Sequence, residues 1–173
     1  EVAGYEADDV IGTLAHKAAD DGFEVFMVTP DKDYGQLVTD RVKIYKQKGE
    51  GIEIVDREAI KEHYGFDDPI LVRDVLALWG DASDNIPGVQ GIGEKGAIKL
   101  VNQFGTVEQI LEHTDELTPK QRANVEAGAE QLRLSKRLAS IVLDVPIEFD
   151  AEALRVEQPN TEALRNLYKE LDF

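Results

Sequence analysis

An α/β fold is what this sequence predicts: a partial sheet flanked by helices over residues 1–85, then a helix–hairpin–helix subdomain and a helical C-terminal part over 86–173. Three observations carry the prediction. A helical apolar stripe (Val10, Ile11, Leu14, Ala15, Ala18) leads into a short apolar run, "FEVFMVT" at 23–29, and a helix followed by a buried strand is a unit of an α/β sheet. Acids gather just beyond that strand, where open α/β sheets place their ligands. Further on, "IPGVQGIGEKGAIKLV", Ile86 to Val101, is a glycine hairpin that opens a helix.

The elements follow in order. Residues 6–20 read as a helix closed by Gly22, and 23–29 as the buried strand. Residues 41–55 read as two strands around a Lys48–Gly51 turn. Asp56 can cap a short helix over 57–64 that ends at Gly65, and Pro69 suits the first turn of a helix over 69–79. Residues 80–93 form a loop with four glycines and a proline. A helix over 94–104 ends at Gly105, Thr106 caps another over 107–113, and Pro119 opens a long helical stretch towards Ser140. The segment 142–150 is extended, and a last helix covers 161–171.

Composition narrows the class. The apolar share of 42% is ordinary for a folded protein, and no apolar run approaches the ~20 residues of a membrane span. The absence of cysteine excludes a disulfide framework and a thiolate metal site. With no signal-peptide pattern at the start, the sequence predicts a cytoplasmic protein with no membrane partner. Glu1 is not an initiator methionine and a helix begins almost at once, which predicts a piece of a longer chain. The net charge of −16 argues at first sight against nucleic acid, which requires a basic surface. Cations bound by the acids, or clustering of the basic residues, answer that objection.

Seven carboxylates fall in three clusters: Glu6, Asp8 and Asp9; Asp31 and Asp33; Asp81 and Asp84. In the first, either Glu6 and Asp8 or Glu6 and Asp9 share a side, depending on where the helix begins. The bland alternative is capping of a helix N-terminus. Asp31-Lys32-Asp33 leaves a buried strand, where alternate residues face one way; its alternative is a solvated turn. Asp81 and Asp84 are three apart, so one helical turn aligns them, and their alternative is a capped loop. Jointly the clusters suit Mg²⁺ or Mn²⁺, which take carboxylate oxygens, water and phosphate, and seven acids suffice for two ions. His16, His63 and His113 are scattered and form no zinc site.

In the hairpin, Gly88, Gly91 and Gly93 let the backbone turn sharply and let a phosphate approach the N–H groups at a helix start. Lys95 and Lys99, four apart, add charge to one face, while Val89 and Ile92 anchor the hairpin in a small core with Ile86. This is the helix–hairpin–helix pattern, which holds nucleic-acid backbone rather than base edges. Other basic residues, Arg41, Lys43, Lys46 and Lys48 and then Lys120, Arg122, Arg133, Lys136 and Arg137, read as solvated faces. Trp79 ends an apolar helix and reads as core.

"GYEADDVIGTLA", "VTPDKDYGQLV" and "LWGDASDNIPGVQGIGEKGAIKLV" resemble the 5′-nuclease domain of bacterial DNA polymerase I, a branch of the flap endonucleases. The resemblance is specific over 4–39 and 76–105 and diffuse after about 106. It implies a partial PIN-like, Rossmann-like sheet and a two-metal phosphodiesterase that cuts 5′ flaps and degrades 5′ ends of duplex DNA in primer removal and repair. By motif position Glu6, Asp8 and Asp9 would serve one ion, and Asp31, Asp33, Asp81 and Asp84 the second or its water shell. The hairpin Gly88–Lys95 would hold the duplex, with K⁺ on its carbonyls, and a polymerase domain would be covalently linked. Members of this family begin with a strand carrying an essential Asp, a further Asp and a basic helical arch. Those parts would precede Glu1, so the expectation is weak metal binding and poor cleavage by these residues alone.

Two rivals use fewer of these features. A haloacid-dehalogenase-type phosphatase would need Asp31 as nucleophile with Asp33, Gly80 and Asp81, and leaves the hairpin and the Glu6 cluster idle. A pure duplex-binding module leaves the acids idle.

Overall fold

The computed structural model describes residues 2–49 and 51–173. Glu1, where the abrupt start was noted, and Glu50, within the predicted Lys48–Gly51 turn, lie outside the described residues. Eight helices and three strands are formed among the described residues.

Helix α1 (Ala7–Asp20) buries Ala15 and Ala18 along its apolar stripe, and Gly22 (φ +94°) reverses the chain into β1 (Val25–Val28). β1 pairs in parallel with β2 (Val42–Lys48), Val25 opposite Val42. β2 pairs antiparallel with β3 (Gly51–Val55), Ile44 opposite Val55. The register divides the sheet cleanly. Met27, Val42 and Ile44 point into the core, while Phe26, Val28, Ile52 and Ile54 share the opposite, exposed face. Between β1 and β2 the chain makes a 3₁₀ turn over Asp33–Leu37 that local pattern did not predict. Tyr34 and Leu37 fill the core from it, and Gln36 pins it by donating to Ala139 O and accepting from Ile141 N–H.

Helix α2 (Arg57–Tyr64) has the expected Asp56 cap on Ala59 N–H and ends at left-handed Gly65. A 3₁₀ turn at Pro69–Leu71 starts α3 (Val72–Trp79), whose Val72, Val75, Leu76 and Leu78 are at most 1% exposed. Trp79 is half-buried at its end and packs against the core. α3 is the central helix, in contact with α4 (Glu94–Phe104), α5 (Val107–Glu112) and α7 (Ala129–Ala139). Its fully buried Asp74 accepts from Val107 N–H at 2.7 Å and pairs with Lys136 at 2.8 Å, which ties α3 to α5 and α7.

The helical stretch expected from Pro119 towards Ser140 forms as two helices, α6 (Pro119–Ala127) and α7, which meet at Gly128. Gly128 closes one helix and opens the next, and a Cβ there would stand 3.2 Å from Asn124 O. Residues 141–147 then cross α1 as an extended strap. Val142 N–H donates to Asp9, Val145 N–H to Thr13 Oγ1, and Lys17 to Ile147 O. Gly12 permits this crossing, since a Cβ there would meet Leu143 at 2.9 Å and Ile141 at 3.1 Å. Helix α8 (Thr161–Glu170) buries no residue. No helix among the described residues is long and apolar enough to cross a membrane.

Candidate active site

A closed loop delivers the third acid cluster. Gly80 (φ +89°) and Gly88 (φ +63°) touch backbone to backbone, and a Cβ on Gly88 would lie 2.5 Å from the Trp79 carbonyl. Asp81 and Ile86 exchange both backbone hydrogen bonds at 2.8 Å, completing the neck. Asp81 is thereby buried at the neck while Asp84 stays exposed in the loop beyond it. Ser83 locks Asp81 Oδ1 with its N–H (2.9 Å) and its hydroxyl (2.6 Å).

The second cluster comes from the end of β1. Asp33 heads the 3₁₀ turn and its N–H donates to Asp31 Oδ1 at 2.9 Å. One carboxylate oxygen from each of Asp33, Asp81 and Asp84 lies within 4.8 Å of the others. Oxygens around one Mg²⁺ are about 3–4 Å apart, so modest tightening of this triad would make three ligands. Asp33 is 8% exposed, and its Oδ1 is buried with no hydrogen-bond partner among the described residues. A buried, unsatisfied carboxylate oxygen costs free energy that a bound cation would recover, so the residues present fit a divalent ion. Burial, then the neighbouring Asp31 charge, pushes the Asp33 carboxyl up to about 6. Burial opposes the charge of Asp81 too, but bonds from Lys32 and Ser83 outweigh it and hold that carboxyl below its usual range.

The first cluster faces the same space. Glu6, Asp8 and Asp9 line a cleft of about 320 Å³ with Asp31, Asp33 and Asp84, walled on the other side by Leu138–Ile141. Six of the seven sequence-predicted acids therefore share one cleft, and Asp81 joins it from the neighbouring side through the triad. They are not equivalent. Asp9 already accepts Glu6 N–H at 3.1 Å on Oδ2 and Val142 N–H at 2.8 Å on Oδ1, so it braces the helix start and the strap. Asp8 accepts the hydroxyl of buried Tyr34 at 2.9 Å, and burial with this bond raises the Tyr34 pKa.

The hairpin emerges beside the cleft. Val89 and Ile92 are buried and anchor it, so they offer only backbone, while Gly91, Gly93, Lys95 and Lys99 are exposed. Gly93 is the extended residue before α4, whose first N–H groups open towards solvent there. Asn124 of α6 donates to Gln90 O at 2.8 Å and braces the hairpin from a distant part of the sequence. Elsewhere, several predicted basic groups are engaged in ion pairs: Lys43 with Glu24, Lys48 with Glu53, Arg122 with Glu126, and Lys136 with Asp74. Lys32, Gln36, Asn124 and the Leu138–Ile141 wall escaped sequence reasoning. Only Lys32, inside Asp31-Lys32-Asp33, carried a local signal.

Comparisons with known proteins bear on the family of the chain. A family model described as 5′-3′ exonuclease, N-terminal resolvase-like domain, matches residues 1–65, and one described as 5′-3′ exonuclease, C-terminal SAM fold, matches 68–162. The chain is 45% identical over its whole length to a thermostable DNA polymerase I of Thermus filiformis and 44% identical to DNA polymerase I of Bacillus subtilis. It spans about one fifth (20%) of the length of each. A crystal structure of a bacteriophage T5 flap endonuclease in complex with DNA and metal ions superposes with a TM-score of 0.71 at 26% identity. That match covers 81% of this chain and 51% of the phage protein. Two successive family models that run almost without a gap from residue 1 to residue 162 leave one conclusion: the chain belongs to the 5′-3′ exonuclease family.

Proposed function

We propose that this chain supplies the metal-dependent chemistry and the duplex grip of a 5′-3′ exonuclease and 5′-flap endonuclease, as the nuclease part of a cytoplasmic DNA polymerase I engaged in primer removal and repair. The observation that carries this reading is the Asp33–Asp81–Asp84 triad, whose buried Asp33 Oδ1 accepts no hydrogen bond among the described residues, set in a cleft with four further acids at hand. In this reading residues 1–85 carry the chemistry and 86–173 the grip on DNA. Asp33, Asp81 and Asp84 hold one Mg²⁺ or Mn²⁺; Glu6, Asp8 and Asp31 face a second, with Asp9 positioning them. Such ions, when bound, neutralise charge on the scissile phosphate and make a nucleophile of water at neutral pH. The chain's own part is to fix the carboxylates and to present a phosphate to them. Gly91 and Gly93 admit the DNA backbone, the α4 N–H groups and Lys95 and Lys99 meet its charge, and the hairpin carbonyls take K⁺. No side chain acts as nucleophile.

The open sheet face favours a second reading for these residues by themselves: they bind duplex DNA and metal but cleave slowly, because the layer beside the cleft is covered on one face only. One experiment separates the two. A 5′-labelled flap duplex is incubated with Mg²⁺ and this chain, its Asp33→Ala variant, or a version extended upstream. Cleavage lost with Asp33→Ala supports the nuclease reading, and cleavage only by the extended version supports the second. Cleavage that survives both EDTA and Asp33→Ala would falsify the assignment of the triad.

A further inference from the structure

Lys32 stands among the acids that a cation would need. Its ammonium group bonds to Asp81 Oδ2 and lies 3.7 Å from Asp33 Oδ1, while its side chain remains 36% exposed. It also stands 5.7 Å from the centre of the Trp79 ring, a cation–π contact that guides the chain over the neck of the loop. Of the two Asp81 oxygens, Oδ1 is committed to Ser83 and Oδ2 to Lys32. The triad therefore meets a cation with one member's free oxygen already held by a charge of the same sign as the cation.

We propose that Lys32 is a resident counter-ion of the triad, holding Asp81 and screening Asp33 in the metal-free protein and yielding Asp81 Oδ2 when a divalent cation binds. The proposal rests on the reading of Asp33, Asp81 and Asp84 as a metal site. Three carboxylates within 4.8 Å would repel strongly in a partly dry site, and Lys32 removes one unit of that charge. The same ammonium opposes the approach of a divalent ion, so it keeps the empty triad assembled while weakening its grip on metal. The displaced group has somewhere to go. Lys32 also lines an adjoining cavity of about 280 Å³ whose lining includes Glu53 and Glu94, two carboxylates outside the triad.

A structural lysine and a counter-ion lysine give opposite results on removal. Mn²⁺ binding to the whole chain is measured by titration calorimetry, with melting temperatures in EDTA and in saturating Mn²⁺. Lys32→Met keeps the length and apolar stem of the side chain beside Trp79 but removes the charge and, with it, the cation–π contact. The counter-ion role predicts Mn²⁺ affinity up by about tenfold, a lower melting temperature in EDTA, and a wider gap between the two melting temperatures. Lys32→Arg, which keeps the charge, stays near wild type. Should Lys32→Met not fold in EDTA, folding it in Mn²⁺ and finding Lys32→Gln tighter than wild type supports the same conclusion. Unchanged or weaker binding in both neutral variants overturns the counter-ion role and leaves the metal site standing. Absence of Mn²⁺ binding in wild type and variants alike overturns the metal site itself.

Discussion

Helix α3 and the three-stranded sheet are both apolar, yet they are treated oppositely. α3 has its aliphatic side chains covered by α4, α5 and α7, and its one buried acid, Asp74, is paired. The sheet covers one face and leaves Phe26 (46%), Val28 (76%), Ile52 (61%) and Ile54 (48%) exposed on the other. Parallel strands such as β1 and β2 are normally covered on both faces. The difference teaches that one core, running from Met27 and Ile44 of the sheet to Val89, Leu100 and Leu132 of the helices, surrounds α3 but holds the sheet from one side only. The acids that matter most lie where the two meet: Asp33 from the sheet side, Asp81 and Asp84 from the helical side.

The comparison breaks most readily at Gly88. Its φ of +63° and the 2.5 Å approach of Trp79 leave no room for a side chain. Gly88→Ala should cost more than about 3 kcal/mol and should lower the melting temperature and duplex binding together, as read by calorimetry and a gel-shift titration. A neutral outcome would mean the loop neck is not what holds the hairpin. Next comes Lys136→Met, which leaves the fully buried Asp74 carboxylate with the Val107 N–H hydrogen bond and Arg73 Nε 3.8 Å away. Chemical denaturation should show a loss of about 3 kcal/mol. Both losses belong to the helical half, where nothing is slack enough to relax.

How legible each half was follows the range of the forces involved. The glycine hairpin, the Asp56 and Thr106 caps and the strands 25–28, 42–48 and 51–55 are written locally, in spacing and capping chemistry, and are readable as such. The 3₁₀ turn at Asp33–Leu37 was not, because Gln36 fixes it to Ala139 and Ile141, more than a hundred residues away. Nor could sequence show that Asp9 is spent on Val142, or that Leu138–Ile141 wall the cleft. The candidate site was thus legible as a set of acids but not as a division of labour among them, since that division is made by contacts between distant segments. Asp74 was missed for a related reason: a charge inside an apolar helix looks like a surface position until its partners are seen.

At the junction of the two halves, pH offers a sharper test. The Asp33 carboxyl is pushed up to about 6 by burial and its acidic neighbours. A carboxyl raised on folding favours the folded state while protonated. Its contribution is complete below the unfolded value near 4 and is lost as pH climbs through about 6. Metal-free protein should therefore melt progressively lower from pH 4 to pH 7 because of this residue. Asp33→Asn should flatten that part of the profile, and saturating Mn²⁺ should remove it above pH 6. A profile in EDTA identical for wild type and Asp33→Asn would show that the triad does not strain the fold.

The smallest expected effect decides whether the sheet really differs from α3. Met27→Ala or Ile44→Ala, on the buried face, should cost about 2–5 kcal/mol. Phe26→Thr or Ile54→Thr, on the exposed face, should cost only about 0.5 kcal/mol, because solvent already reaches the side chain and Thr suits a strand. If the outer-face variants instead cost as much as the inner ones, something covers that face in solution. Among the described residues α8 buries nothing and could do so, since its Leu164, Leu167 and Tyr168 lie at helical spacing and are exposed. Repeating the melts at tenfold dilution would then separate a second copy of the chain, whose cover weakens on dilution, from α8, whose cover does not.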